Sequence, residues 1–196
     1  MKISDAYREA NGFTPEKIAD VVIGFYEKID ARSAEIERKL EAGGQKLHCH
    51  PGCCGCCRDG LSMTQAEAVV IRKLFPDIGS AEPHPAGACP FLDDDGLCRI
   101  YRARPFICRT HGLPMRYLMT LRDALEMGVV ETMPEGHSED EKIELRDICE
   151  LSSLDVMALP EADCWTSEIA EAQLAAMDAC TFGDAPRVSM RSFFEK

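Results

Sequence analysis

The chain has 196 residues, 45% of them hydrophobic and 7% aromatic, with a formal net charge of −12. That length suffices for one domain with a real core, and no apolar run approaches the roughly 20 residues of a membrane span. The charge is uneven, since residues 1–118 carry 16 Lys+Arg against 16 Asp+Glu while residues 119–196 carry 6 against 18, and such an acidic surface repels nucleic acid and anionic membrane, so neither is an expected partner.

Residues 1–10 lack the apolar core of a secretory signal. The expected compartment is the reducing cytoplasm, where clustered cysteines serve as metal ligands or catalysts rather than cystines. The eleven cysteines are also an odd number, so complete internal pairing is impossible. Residues 1–13 read as a lead-in. Thr14-Pro15-Glu16 is a helix start, with Thr at the N-cap, Pro at the first helical position and an acid in the first turn. Ile18, Val22, Phe25, Ile29, Ile36 and Leu40 then recur at helical spacing down to Gly43-Gly44, which predicts one long amphipathic helix over 14–42 whose stripe is a core or dimer face.

The densest chemistry follows. Five cysteines fall within nine residues, Cys49-His50-Pro51-Gly52-Cys53-Cys54-Gly55-Cys56-Cys57, and the interleaved proline and glycines predict a bent loop that brings several sulfurs to one point. Near-adjacent cysteines bridge each other poorly, so a metal is the expected fate of these thiols. Thr64-x-x-Glu67 is a capping box that opens a second helix through Ala68, Val69, Ile71 and Leu74 to about Phe75, with its positive N-terminal end expected to stabilise thiolates. Pro76, Pro83, Pro85 and Pro90 predict a loop. Residues 91–101, turning at Asp95-Gly96, read as a short β-hairpin, with the triple aspartate a solvated turn rather than a calcium loop.

Beyond Pro114 the pattern reads as helices: one over Tyr117, Leu118, Leu121 and Leu125 up to Gly128, one opened by Ser138-x-x-Glu141 and running through Ile143, Leu145, Ile148, Leu151, Leu154 and Met157, and one from about Asp163 to Ala179. Residues 184–196 read as a loose tail in which Phe193-Phe194 are candidates to dock. The fold expected is therefore mainly α: a helical single domain over 1–196, with a Cys-rich metal-binding region at 48–111, an acidic helical region at 114–180 and one short β-hairpin.

The spacing Cys49-x3-Cys53-x2-Cys56 is similar to the three-cysteine motif of radical S-adenosylmethionine enzymes, but no series of strands alternates with helices as their barrel requires. Cys53-x2-Cys56 and Cys54-x2-Cys57 are also overlapping zinc-type knuckles. A second group lies downstream, in Cys89-Pro90-Phe91-Leu92, Cys98-Arg99-Ile100-Tyr101 and Arg104-Pro105-Phe106-Ile107-Cys108-Arg109. Together the two stretches resemble the cysteine-cluster (CxxCxxCC) zinc- or iron-chelating domain family. By position, that resemblance implies Cys49, Cys53, Cys56, Cys57, Cys89, Cys98 and Cys108 as metal ligands, with Cys54 an extra thiol. Flagellin lysine N-methylases share the cysteine signature, which implies an enzyme alternative: an open cluster position serving methyl transfer or redox chemistry.

Five arginines and no acid lie between Gly96 and Leu118, and of these Arg99, Arg102, Arg104 and Arg109 are expected to offset an anionic thiolate centre. Seven ligands exceed the four of one zinc, and Cys89-Pro90 is a step seen in ferredoxin motifs. An iron–sulfur cluster, most simply 4Fe-4S, is therefore the expected cofactor and zinc the alternative. His48, His50 and His111 read as neighbours of the cysteines, Trp165 as a core anchor, and Cys149, Cys164 and Cys180 as buried structural thiols in helices, so replacing Cys149 is expected to leave metal content unchanged. A third class remains, an adaptor whose structural zinc fixes the fold while the acidic C-terminal helices meet a basic protein partner.

Overall fold

The computed structural model describes residue 10 and residues 12–195, so most of the expected lead-in lies outside the described residues. Helix α1 spans Pro15–Ala42 and ends at Gly43. Its buried face is Ile18, Val22, Tyr26, Ile29, Ile36 and Leu40, with Tyr26 facing the core more fully than its neighbour Phe25. Strand β1, Ser62–Met63, leads into helix α2, Gln65–Leu74. Here the capping box forms: Thr64 Oγ1 accepts from Glu67 N at 3.2 Å and Thr64 N donates to Glu67 Oε2 at 2.9 Å. Glu67 is 2% exposed and does more than cap, because its Oε1 also accepts from Phe106 N at 2.7 Å and Tyr26 Oη at 3.3 Å. One buried carboxylate thus ties α1 and α2 to helix α3, Phe106–Thr110.

The next elements depart from the helical expectation. Strand β2, Met115–Thr120, is followed by a short helix α4, Leu121–Glu126, and strand β3, Lys142–Asp147, pairs antiparallel with β2 in the register Tyr117↔Leu145 and Met119↔Ile143. The hairpin therefore sits at 115–147. At 91–101 there is a single bridge, Leu92↔Cys98, closing a turn in which Asp93 Oδ1 accepts from Asp95 N and Leu97 N at 3.0 and 2.8 Å. The aspartate serves backbone amides there, as a solvated turn does.

Helix α5, Glu168–Phe182, packs on α2, and Asp178 Oδ1 accepts from Ala66 N at 2.8 Å. That amide of the α2 N-terminus is turned to a carboxylate of α5, not to the thiols. Strand β4, Val188–Ser189, pairs with β1, and a 3-10 turn at Met190–Phe194 follows. Phe193 and Phe194 dock, with ring centroids 5.5 and 5.4 Å from Phe91, and Met190 is buried. The molecule is mainly helical, with two small antiparallel sheets. No described helix is long and apolar enough to cross a membrane.

Candidate metal centre

The cysteine loop is a chain of tight turns. Cys53 N donates to His50 O and Cys57 N to Cys54 O, each at 2.9 Å. The loop is clamped directly to the second cysteine segment, since Cys89 N donates to Cys57 O at 2.9 Å and Arg58 bridges antiparallel to Ala88. Cys98 follows through the Leu92↔Cys98 bridge, and Cys108 sits in the single turn of α3 whose first amide, that of Phe106, Glu67 receives. All eleven cysteines are free thiols.

Cys57, Cys89, Cys98 and Cys108 pack against the main core. Their charges are mutually felt. Burial first, then Cys89, Cys98 and Cys56, together push Cys108 up to about 12. Cys98 is raised by burial and by Cys89, with Arg104 and Arg99 opposing. Cys57 is raised first by its hydrogen bond to Cys56, then by burial, then by Cys56, Cys89 and Cys108. Thiols that hinder one another's ionisation are the group from which a bound cation releases protons.

A second neighbourhood lies at the loop's outer side. Cys49 is pushed up to about 11 by burial, then by Cys53, Cys56 and Cys149. Its Sγ lies 3.8 Å from the His111 carbonyl oxygen. Gly112 makes that approach possible: at φ +95°, a Cβ there would stand 2.3 Å from Cys49 Sγ. The Cys56 pKa is lowered first by the Cys57 hydrogen bond and then by one from His111, whose own pKa the Cys56 contact raises. Cys149 follows β3 directly, is half-buried, and belongs to no helix. Cys54, by contrast, is exposed, its Sγ 3.5 Å from where a Cβ on Gly96 would stand.

This donor set fits zinc or iron: soft thiols from separated segments, with one imidazole against them. Among the described residues no group of three or more Cys, His, Asp or Glu side chains is arranged so that it could hold a metal ion. The thiols stand instead as neighbours, Cys56 hydrogen-bonded to Cys57 and Cys49 to a carbonyl.

The arginines divide. Arg99 and Arg104 lower the pKa of Cys98, and Arg99 that of Cys89. Arg99 also donates to the Glu82, Pro90 and Leu92 carbonyls, holding the chain on both sides of Cys89. Arg109, its side chain 2% exposed, donates to Arg104 O (2.9 Å), Arg102 O (2.6 Å) and Asp30 Oδ2 (2.6 Å) and lies over the Tyr26 ring. It braces the loop between Cys98 and Cys108. Arg102 is exposed, and Arg116 pairs with Glu144 and Glu161.

Three participants carried no motif. Glu67 looked only like a cap. Arg191, within the expected tail, makes a bidentate pair with Asp59 (2.9 and 2.6 Å) and donates to the Ala88 carbonyl next to Cys89. It holds the Asp59 carboxyl down at about 2. Cys149, expected in a helix, lies instead in the loop after β3, among the groups that raise the Cys49 pKa. Part of the acidic region is used internally as well: Asp163 meets Lys39 at 3.5 Å, and Glu168 accepts from Leu118 N. A cleft of about 480 Å³, lined by Glu67, His111, Gly112, Tyr117, Cys149 and Arg187 among others, opens beside the outer thiols.

A family model described as CxxCxxCC, a putative zinc- or iron-chelating domain, matches residues 48–150, just over half of the 196-residue chain. No curated protein and no solved structure matches it.

Proposed function

We propose, because the chain belongs to the CxxCxxCC family of zinc- or iron-chelating domains, that it works as an iron–sulfur protein. Its sulfur donors are Cys49, Cys53, Cys56, Cys57, Cys89, Cys98 and Cys108. One observation supports this above others: the Cys89 N to Cys57 O hydrogen bond at 2.9 Å, next to the Arg58↔Ala88 bridge, which fixes the two cysteine segments side by side. When bound, such a cluster supplies one-electron redox capacity or a rigid structural knot. The chain's own residues supply the rest. Arg99 and Arg104 favour thiolates at Cys98, and Arg109 and Arg191 hold the loops that present the sulfurs.

Iron is favoured over zinc by the excess of sulfur over the four donors of one tetrahedral ion. Anaerobic purification tests this. The expected result is brown protein absorbing near ~400 nm, with iron and acid-labile sulfide in similar amounts. Colourless protein containing only zinc overturns the iron assignment while leaving metal binding in place, and protein without stoichiometric metal overturns both.

A further inference from the structure

The cleft of about 480 Å³ is assembled by the fold, since α2, α3, β2, the end of β3, α5 and Arg187 all contribute to its lining. Its α5 wall and Arg187 lie beyond residue 150, outside the stretch that the family model matches. The volume falls within the roughly 300–1,000 Å³ of small-molecule sites, which pair an apolar lining with a few convergent polar groups. Phe106, Ile107, Leu113 and Leu174 supply the apolar part here.

The polar part is set by strand register and by the placement of α5. Met115 pairs with Asp147 and Tyr117 with Leu145, so Tyr117 and Asp147 are diagonal neighbours on one face of the β2–β3 hairpin. Glu168 Oε1 accepts from Leu118 N at 3.2 Å, which holds the first turn of α5 against β2, and Glu171 follows three residues on along the cleft. The Tyr117 hydroxyl feels both acids: its pKa is raised first by burial, then by Asp147 and Glu171.

These polar groups are not equally available. Glu67 already accepts from the Thr64 amide and hydroxyl, the Phe106 amide and the Tyr26 hydroxyl. Arg187 donates from Nε to Ser62 Oγ at 3.0 Å and from Nη2 to Ser62 O at 2.8 Å. His111 is engaged with Cys56. Asp147 Oδ1 accepts from Ile148 N at 2.8 Å, although that bond leaves its second oxygen open. Among the described residues the Glu171 carboxylate accepts no hydrogen bond and pairs with no cation. The capacity left over in the cleft is therefore for accepting hydrogen bonds and for positive charge.

We infer that this cleft binds a small organic cation, an ammonium ion carrying an apolar body. Glu171 and Asp147 take the charge, with the Tyr117 ring beside them as a cation–π partner. The body lies against Phe106, Ile107 and Leu174. An anion of the same shape would enter beside two carboxylates while the lining guanidinium is already bonded to Ser62. None of Tyr117, Asp147 and Glu171 is a proposed sulfur donor, so the inference goes beyond the metal-binding reading and does not depend on it.

Isothermal titration calorimetry on the full, metal-loaded chain tests it with three probes that share one apolar body: hexylammonium, hexanol and hexanoate. Hexylammonium is expected to bind with a dissociation constant below about 1 mM, with hexanol weaker and hexanoate weakest. Glu171→Gln is expected to weaken hexylammonium about three- to tenfold, the acid being solvent-exposed, and to leave hexanol unchanged. Glu131→Gln, which removes an exposed acid that does not line the cleft, is expected to change nothing. No heat from hexylammonium, a preference for hexanol or hexanoate, or equal losses in the Glu171 and Glu131 variants overturns the inference. Metal content measured on the same samples reports separately on the metal-binding reading and is expected to be the same in all of them.

Discussion

Arg109→Ala separates two roles for the arginine-rich segment. As a direct partner of the centre, Arg109 would matter to metal affinity alone. As the structure has it, the guanidinium is a brace. It makes charge-assisted hydrogen bonds to the Arg102 and Arg104 carbonyls and to Asp30, and its Cζ lies 3.9 Å from the Tyr26 ring centroid. Removing it strands two carbonyls in a partly buried loop, at about 1–3 kcal/mol each. The cation–π contact adds about 0.5–2 kcal/mol. Asp30 contributes little, because its side chain is 47% exposed and re-solvates. These contributions span about 2.5–8 kcal/mol, and the expected loss is about 3–5 kcal/mol, the range for removing one buried partner of an ion pair. For a chain of this size that lowers Tm by roughly 6–20 °C, at about 2–4 °C per kcal/mol. Arg109→Lys keeps the charge but not the fork and is expected to recover less than half of the loss. Urea unfolding of the metal-loaded protein, followed by Trp165 fluorescence, measures it. A loss under about 1 kcal/mol, or a stable Arg109→Lys that has lost metal, refutes the brace.

Other substitutions bear on neighbouring parts of the account. Gly112→Ala places a methyl 2.3 Å from Cys49 Sγ at φ +95°; the expected outcome is a backbone cost of about 1–2 kcal/mol and a lower metal content per chain by elemental analysis, and unchanged metal content contradicts it. Glu67→Gln turns one of two accepting oxygens into a donor facing either the Thr64 amide and hydroxyl or the Phe106 amide and Tyr26 hydroxyl. Denaturant titration is expected to show a loss of about 2–4 kcal/mol, and a change within about 0.5 kcal/mol means the buried carboxylate is not the tie described. Met190→Ala, at a side chain 1% exposed, is expected to cost about 2–5 kcal/mol by calorimetry. A negligible change there would mean the last residues do not belong to the core.

The sequence spoke most clearly where local chemistry and packing agree. Helices α1 and α2 announced themselves through Thr14-Pro15, Thr64-x-x-Glu67 and apolar positions at helical spacing, and both stand within a residue or two of the expected bounds. Residues 138–157 misled because Ser138-x-x-Glu141 has the composition of a cap. The telling signal was the two-residue alternation of Ile143 and Leu145, which serves a strand only when β2 is there to pair with it. That pairing is non-local, and nothing in the spacing of 138–157 encodes it. The same pairing hides Cys149. Forty-one residues separate it from Cys108 in sequence, and only the return of β3 carries it to the loop at Cys49. The arginines were legible as charge but not as donors, because the carbonyls that need them, those of Arg102 and Arg104, exist as a problem only once the loop is folded.

X-ray absorption at the metal edge of the anaerobically purified protein tests most directly whether sulfurs from the two separated segments share an inorganic centre. The account predicts a nearest-neighbour shell of sulfur alone at about 2.3 Å, reduced in amplitude per protein by Cys56→Ser and by Cys108→Ser alike. A shell dominated by oxygen or nitrogen at about 2.0–2.2 Å would contradict it.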